Sequence, residues 1–418
     1  MSLNDGTLRG GAPNANDLPH ILLISDDRAW PMTSGYRRRI AQHVRALAQV
    51  GTVYWIVAPR GRRDDGETPT VPAELSGRVV AVLVPAPTRS RASRVTRWTT
   101  GDLPRSVAAG DWGSVLAHLS RLDLAAFDFV FCVGLASFEH VKGTIRCDQF
   151  TVVDMVDLES TKLEQASDIR TQGIVGRVRS GLNRSEVRRW RRLEKSVAAE
   201  ATATILSSDS ETDTIGGNAR CVPNTYDDPA PIRRRISSPP NILFVGSLDY
   251  PPNADGLDWF VCGIWPTLRA RIPELSMRVV GEGLSTQHSA RRCAGIEVIG
   301  PVADLRPLLE EATLCVVPLR WAGGTRVKIL EAFAHELPVV STTVGAAGLD
   351  VSDDCELRVA DDPEGFASAC AEIIEDPHLA ERIAEAGRQA FESKHETNHV
   401  VLQSAQWLSL LVDQARET

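Results

Sequence analysis

The sequence predicts an α/β chain of two doubly wound parallel sheets facing each other across a cleft. Three observations carry this reading. Short apolar runs alternate with helical segments along most of the 418 residues, the pattern of βαβ units rather than of hairpins. The pattern lapses in a Pro-, Arg- and Ser-rich stretch at 227–240 and then restarts, which marks a linker. In the second half an apolar run at 314–319 leads into a glycine loop and a helix start. That arrangement makes an anion site at the carboxyl edge of a parallel sheet.

In chain order, 20–25, 53–59, 79–85, 127–134, 150–157 and 201–207 read as buried strands, with a short one at 221–224. Ile40, Val44 and Leu47 recur at helical spacing after the loop that ends at Gly35. The Arg-rich stretch 89–112 reads as a loop with short helical pieces. Arg177 to Lys195 reads as a basic helix, either a solvated face or a surface for peripheral contact with anionic lipid. The second half repeats the pattern with strands at 241–247, 275–283, 296–300, 314–319 and 338–342. Residues 379–415 read as helical with few breaks, and Val400, Leu402, Trp407, Leu410 and Leu411 form a face to pack across the interface. The expected domains are therefore a disordered 1–17, an N-terminal domain at 18–230, a C-terminal domain at 241–395 and a returning helix at 396–418.

Composition narrows the function. A net charge of −8 argues against a general nucleic-acid binder. The eight cysteines form no CxxC pair and several sit in apolar runs, so they read as reduced core residues of a cytoplasmic protein. No apolar run reaches the ~18 residues of a membrane span. His43, His140 and His335 stand alone in sequence and read as structural.

The chemistry concentrates at 323–332. Gly323 and Gly324 let backbone N–H groups approach a phosphate, and Thr325 adds a hydroxyl. Arg326 and Lys328 offset phosphate charge. Lys328 and Glu331, three apart, share one helix face. A carboxylate there suits a pair of sugar hydroxyls rather than a phosphate. Asp157, at the end of a strand, is the best acidic candidate in the first domain; it reads equally as a helix N-cap.

The stretch Leu330-Glu331-Ala332-Phe333-Ala334-His335-Glu336-Leu337-Pro338-Val339-Val340-Ser341-Thr342 resembles the signature of retaining glycosyltransferases of family 4, which have the GT-B fold. The resemblance extends over 241–350 and, more weakly, to Ser34-Gly35-Tyr36-Arg37 and Val222-Pro223-Asn224. Asp154 to Asp157, with Ser160 and Lys162, is similar to a segment of a branch that makes surface polysaccharides. The resemblance implies that Glu331 holds the ribose of a nucleotide-sugar donor. It implies further donor contacts at Gly246, Ser247, Gly281, Val302, Gly324, Thr325, Arg326 and Lys328, and catalytic positions at Gly35 and Asp157. Two departures stand out. Typical members carry an arginine and a lysine where this chain has Ser247 and Pro252, and a glutamate where it has Gly323. The phosphate charge then falls to Arg326, Lys328 and Arg320.

The expected activity is transfer of a hexose from a nucleotide-diphosphate sugar to a glycan, lipid-linked or small-molecule acceptor, with retention of configuration. No cofactor and no metal are expected, because Asp353-Asp354 and Asp361-Asp362 do not form a DxD motif. A nucleotide-sugar epimerase and a non-catalytic sugar-nucleotide-binding subunit are the alternatives. Turnover without an acceptor would mark the first, and binding without turnover the second.

Overall fold

The computed structural model describes residues 18–59, 69–85, 90–169, 174–229, 234, 237–283, 289–323 and 326–417. The segment 1–17, expected to be disordered, lies outside them, as does part of the 227–240 linker.

The first lobe is a seven-stranded sheet in the order β3-β2-β1-β4-β5-β6-β7. Its strands are β1 (His20–Ser25), β2 (Thr52–Val57), β3 (Val79–Leu83), β4 (Phe129–Val133), β5 (Phe150–Val156), β6 (Ala203–Leu206) and β7 (Ala219–Cys221). The second lobe holds six strands in the order β10-β9-β8-β11-β12-β13. They are β8 (Asn241–Val245), β9 (Ser276–Val280), β10 (Ile296–Gly300), β11 (Leu314–Val317), β12 (Val339–Ser341) and β13 (Arg358–Val359). The named strands pair parallel throughout. This is the two-lobed α/β architecture that the alternation of strands and helices predicts.

Burial on both faces explains the apolar runs. Ile21 and Leu23 enter one core of the first lobe, Leu22 and Ile24 the other. Ile242 and Phe244 face one core of the second lobe and Leu243 its opposite. A strand covered by helices on both sides has no solvated face, so its sequence does not alternate.

Two strand orders reverse, at β1 between β2 and β4 and at β8 between β9 and β11. Connections leave these points in opposite directions and open a crevice at the carboxyl ends of the strands, where ligands bind in such sheets.

Two expectations change. The short strand expected at 221–224 is β7, two to three residues earlier; Pro223 has no N–H to continue the ladder. The segment 379–415 is helical with one break at His395, in the helices Pro377–Lys394 and Thr397–Glu417. In the second of these Leu402 and Leu410 face solvent, 52% and 63% exposed. Val400, Val401, Leu408 and Val412 enter the core of the first lobe instead, with Trp407 and Leu411 packed at its edge. The helical period over the whole segment, not apolarity residue by residue, sets that face.

Candidate active site

A cavity of about 2360 Å³ lies between the carboxyl ends of the two sheets, lined from both lobes. On the first lobe Gly35 starts the helix Gly35–Val50, whose N-cap Ser34 accepts the Arg37 N–H through its hydroxyl. On the second lobe Val327 starts the helix Val327–Ala334. The two helix starts touch: a Cβ on Gly35 would lie 3.1 Å from Val327 Cγ2. Both positive helix ends therefore meet at the cavity wall.

The turn after β8 is shaped for close approach. Gly281 follows β9 with φ +145°, and a Cβ there would lie 2.0 Å from Gly246 O. A Cβ on Gly246 would lie 2.7 Å from Asn253 Nδ2 and 2.9 Å from Lys328 Nζ. Lys328 thus reaches across to the turn where the family pattern would place its own cations, beside Ser247. Its ammonium donates to Asn253 Oδ1 at 2.7 Å and sits 5.2 Å from the Phe244 ring centroid. Asn253 Nδ2 in turn donates to Ser247 O at 2.7 Å. Burial beside the ring lowers the Lys328 pKa to about 8.

Arg326 is 8% exposed and lines the cavity. Its Nη1 donates to Gly323 O, while its buried Nε has no hydrogen-bond partner among the described residues. Burial lowers its pKa, and Asp157 and Tyr250 pull it back up. A buried guanidinium with an unused donor is costly unless an acceptor arrives. Arg320 does not line the cavity; its Nε and Nη2 donate to Asp255 at 3.0 and 2.6 Å.

Glu331 lines the same wall and accepts from Tyr226 Oη at 2.9 Å. Burial raises its pKa, against the pull of the Tyr226 hydrogen bond, Arg38 and Lys328. Val302, 36% exposed, and Gly281 border the cavity on the β9–β10 side. Gly324 and Thr325 lie outside the described residues.

Asp157 projects from the end of β5, directly after Val156, whose φ of +69° is unusual for a β-branched residue. Its carboxylate accepts from Ser207 Oγ at 3.2 Å. Burial raises its pKa, although Lys162, Arg326 and Arg39 lower it. The N-cap reading does not hold: the N–H groups of Leu158 and Ser160 are taken by Glu211 and Glu194, both at 3.0 Å. Asp157 instead meets the second lobe. A Cβ on Gly323 would lie 3.6 Å from Asp157 Cβ and 3.1 Å from Lys162 Cδ. The space a longer side chain at 323 would occupy is filled by the first lobe.

Behind the site Asp154, fully buried, accepts from Arg39 at 2.7 and 2.8 Å and lies 2.8 Å from His43 Nε2. Arg39 also donates to Val222 O and Asn224 Oδ1, at 3.0 and 2.9 Å. This network holds the helix after Gly35 to β5 and to the linker. His43 is part of it, and His140 lies away from the cavity, its Nδ1 2.8 Å from Ala136 O. In the basic helix Arg189 donates to Trp98 O and Leu103 O, and Arg191 pairs with Glu164. Arg189 is thereby tied into the fold, whereas Arg184, Arg188, Arg191, Arg192 and Lys195 are exposed.

Sequence reasoning missed Tyr226, Asn253 and Lys162 as parts of the site. Asn253 follows the glycine turn and was visible as a short polar residue directly after two prolines; it lies in the first turn of the helix Pro251–Trp259. Tyr226 comes from the irregular segment between β7 and the linker, where no local pattern points to it. Among the described residues no helix is long and apolar enough to cross a membrane, and no three of His, Cys, Asp and Glu converge to hold a metal ion.

Residues 239–376 match the family model described as Glycosyl transferases group 1. Glycogen synthase of Mycobacterium tuberculosis is 28% identical over 191 residues, 43% of this chain and 44% of that protein. The chain spans less than half the length of the curated relatives it matches. Among solved structures, sucrose-phosphate synthase from Thermosynechococcus elongatus superposes with a TM-score of 0.69 at 18% identity, over 95% of this chain and all of that one. HepE of Anabaena, solved with UDP and glucose, superposes with a TM-score of 0.61 at 12% identity, over 93% of this chain and 99% of that one. Residues 239–376 are thus similar to the Glycosyl transferases group 1 family, and the chain has the GT-B fold.

Proposed function

We propose that this chain transfers a hexosyl unit from a nucleotide-diphosphate sugar to an acceptor hydroxyl, with retention at the anomeric carbon and without a metal. The observation that carries the reading is the convergence of Arg326, Lys328 and Glu331 at one helix N-terminus on the cavity wall, opposite Asp157. Lys328, beside the Gly246 turn, and Arg326, with its unused Nε, are the groups for the diphosphate. Glu331 takes ribose hydroxyls, and Val302 borders the nucleobase.

In the reaction the acceptor oxygen bonds to the anomeric carbon on the face the diphosphate leaves. The bond from that carbon to the β-phosphate oxygen breaks, and its electron pair stays on the phosphate. The acceptor proton passes to the same phosphate oxygen, so no side chain need act as nucleophile or base. The chain's own contribution is electrostatic: two cations and a helix N-terminus aimed at the charge that develops on the leaving group. Asp157 orients the acceptor from the first lobe. The acceptor is a glycan, a lipid-linked sugar or a small molecule, and the likeness of Asp154 to Asp157 to a surface-polysaccharide branch supports the first two.

The test is thermal stabilisation by UDP, GDP, TDP, ADP and CMP, with and without EDTA. The expected result is a selective shift with one diphosphate, unchanged by EDTA and lost in Glu331→Ala and Lys328→Ala. No shift with any nucleotide would overturn the donor site and leave a non-catalytic role.

A further inference from the structure

The chain crosses between the lobes twice, through the linker after β7 and again ahead of the last helix, and Tyr226 joins the two crossings. Its N–H donates to His395 O at 3.1 Å, and its carbonyl accepts from the Thr397 N–H at 3.2 Å. A parallel bridge with Glu396 results. From that anchored backbone the side chain runs into the cavity. The Arg38 guanidinium lies 4.5 Å over its ring, and the His335 ring stands edge-on at 6.0 Å. Stacking of this kind fixes the ring, so the hydroxyl is held in place rather than swinging. That hydroxyl donates to Glu331 Oε1 at 2.9 Å. Among the described residues Glu331 Oε2 has no hydrogen-bond partner, although the carboxylate is mostly buried.

We propose that Tyr226 is a donor-positioning residue: its hydroxyl holds Glu331 Oε1 and turns the carboxylate so that Oε2 receives a hydroxyl of the donor's ribose. The inference rests on the donor site proposed above. It adds that ribose recognition is assembled from the hinge and the second lobe together, whereas the diphosphate is held by the second lobe alone through Lys328 and Arg326. Burial raises the Tyr226 pKa, so the phenol keeps its proton and remains a donor across the physiological range. A carboxylate held at one oxygen by a neutral donor presents the other with a fixed direction and its full acceptor strength. Freed from Tyr226, Glu331 has more rotamers to lose on meeting a ribose, and one oxygen is left to find a new donor.

The experiment is titration calorimetry with UDP, GDP and ADP, each beside its 2′,3′-dideoxy form, and with inorganic pyrophosphate. The unaltered chain should prefer the ribose form of its nucleotide. Tyr226→Phe keeps the ring, the Arg38 contact and the backbone bridge, and removes the hydroxyl alone. Losing one charge-assisted hydrogen bond should shrink the ribose preference by about ten-fold, with pyrophosphate affinity unchanged. A Tyr226→Phe protein that keeps the full ribose preference, while Glu331→Gln abolishes it, would overturn this inference and leave the donor site standing. A parallel loss of pyrophosphate affinity would also overturn it, because the hydroxyl would then act on the whole cleft. If the unaltered chain binds none of the nucleotides, the donor site falls and this inference falls with it.

Discussion

Lys328 gives the most direct measurement of the donor-site electrostatics. Folding carries its ammonium from water to a place beside Phe244, with Asn253 as its hydrogen-bond acceptor, and lowers its pKa from 10.5 to about 8. That drop corresponds to about 3 kcal/mol set against the charged form, at about 1.4 kcal/mol per pH unit. The protein bears this cost without a ligand, and a diphosphate beside the ammonium would offset it. The free site should then lose its charge between pH 7 and 9, the protonated fraction falling from about nine-tenths to about one-tenth for a pKa near 8. Nucleoside-diphosphate affinity should fall about ten-fold over the same interval, measured by calorimetry in buffers of different ionisation enthalpy, with proton uptake on binding near pH 8.5. Stability should move the other way. Because folding lowers this pKa, the folded chain releases the proton first, and stability gains between pH 8 and 10.5 as the unfolded chain still holds it. Lys328→Met should remove both trends. An affinity that stays flat from pH 7 to 9, or a slope that survives in Lys328→Met, would refute the assignment of Lys328 as the phosphate cation.

Three further outcomes follow from the same geometry. Gly246→Ala places a Cβ 2.9 Å from Lys328 Nζ and 2.7 Å from Asn253 Nδ2; displacing that hydrogen bond should weaken diphosphate binding about ten-fold, and unchanged calorimetric affinity would contradict the close-approach argument. Asp157→Asn should lower kcat about a hundred-fold while the nucleoside-diphosphate dissociation constant hardly moves, measured by steady-state kinetics; an equal loss in both would place Asp157 in donor binding instead. Asp154→Ala leaves the Arg39 guanidinium buried without its carboxylate, which should cost about 3–5 kcal/mol of unfolding free energy in urea; a loss under about 1 kcal/mol would show that water reaches the pair.

Much of this molecule was legible because its information is local. A strand buried on both faces is a short apolar run wherever it occurs, so Ile21 to Ile24 and Ile242 to Phe244 announced themselves without any neighbour being known. The glycine loop and the Lys328–Glu331 spacing are local too: three residues on a helix fix which side chains share a face. The restart of the pattern after 227–240 depends only on composition.

What the tertiary structure decided is every relation between residues far apart in the chain. Lys328 and the turn at Gly246 are 82 positions apart, yet the switch point at β8 sets them side by side, so a lysine from a helix start stands beside a turn from a distant part of the chain. Asp157 read as a helix cap because a sequence shows only the helix that follows; the N–H groups it would cap are taken by Glu211 and Glu194, which arrive from other helices. Leu402 and Leu410 are apolar, but the helix they lie on turns its other face to the core. Tyr226 lies in a segment with no periodicity just ahead of the linker, and its contacts exist only because the second crossing pairs with it there and Glu331 comes within 2.9 Å. Burial and contact are properties of a neighbourhood, and a neighbourhood drawn from two lobes is written nowhere in the order of the residues.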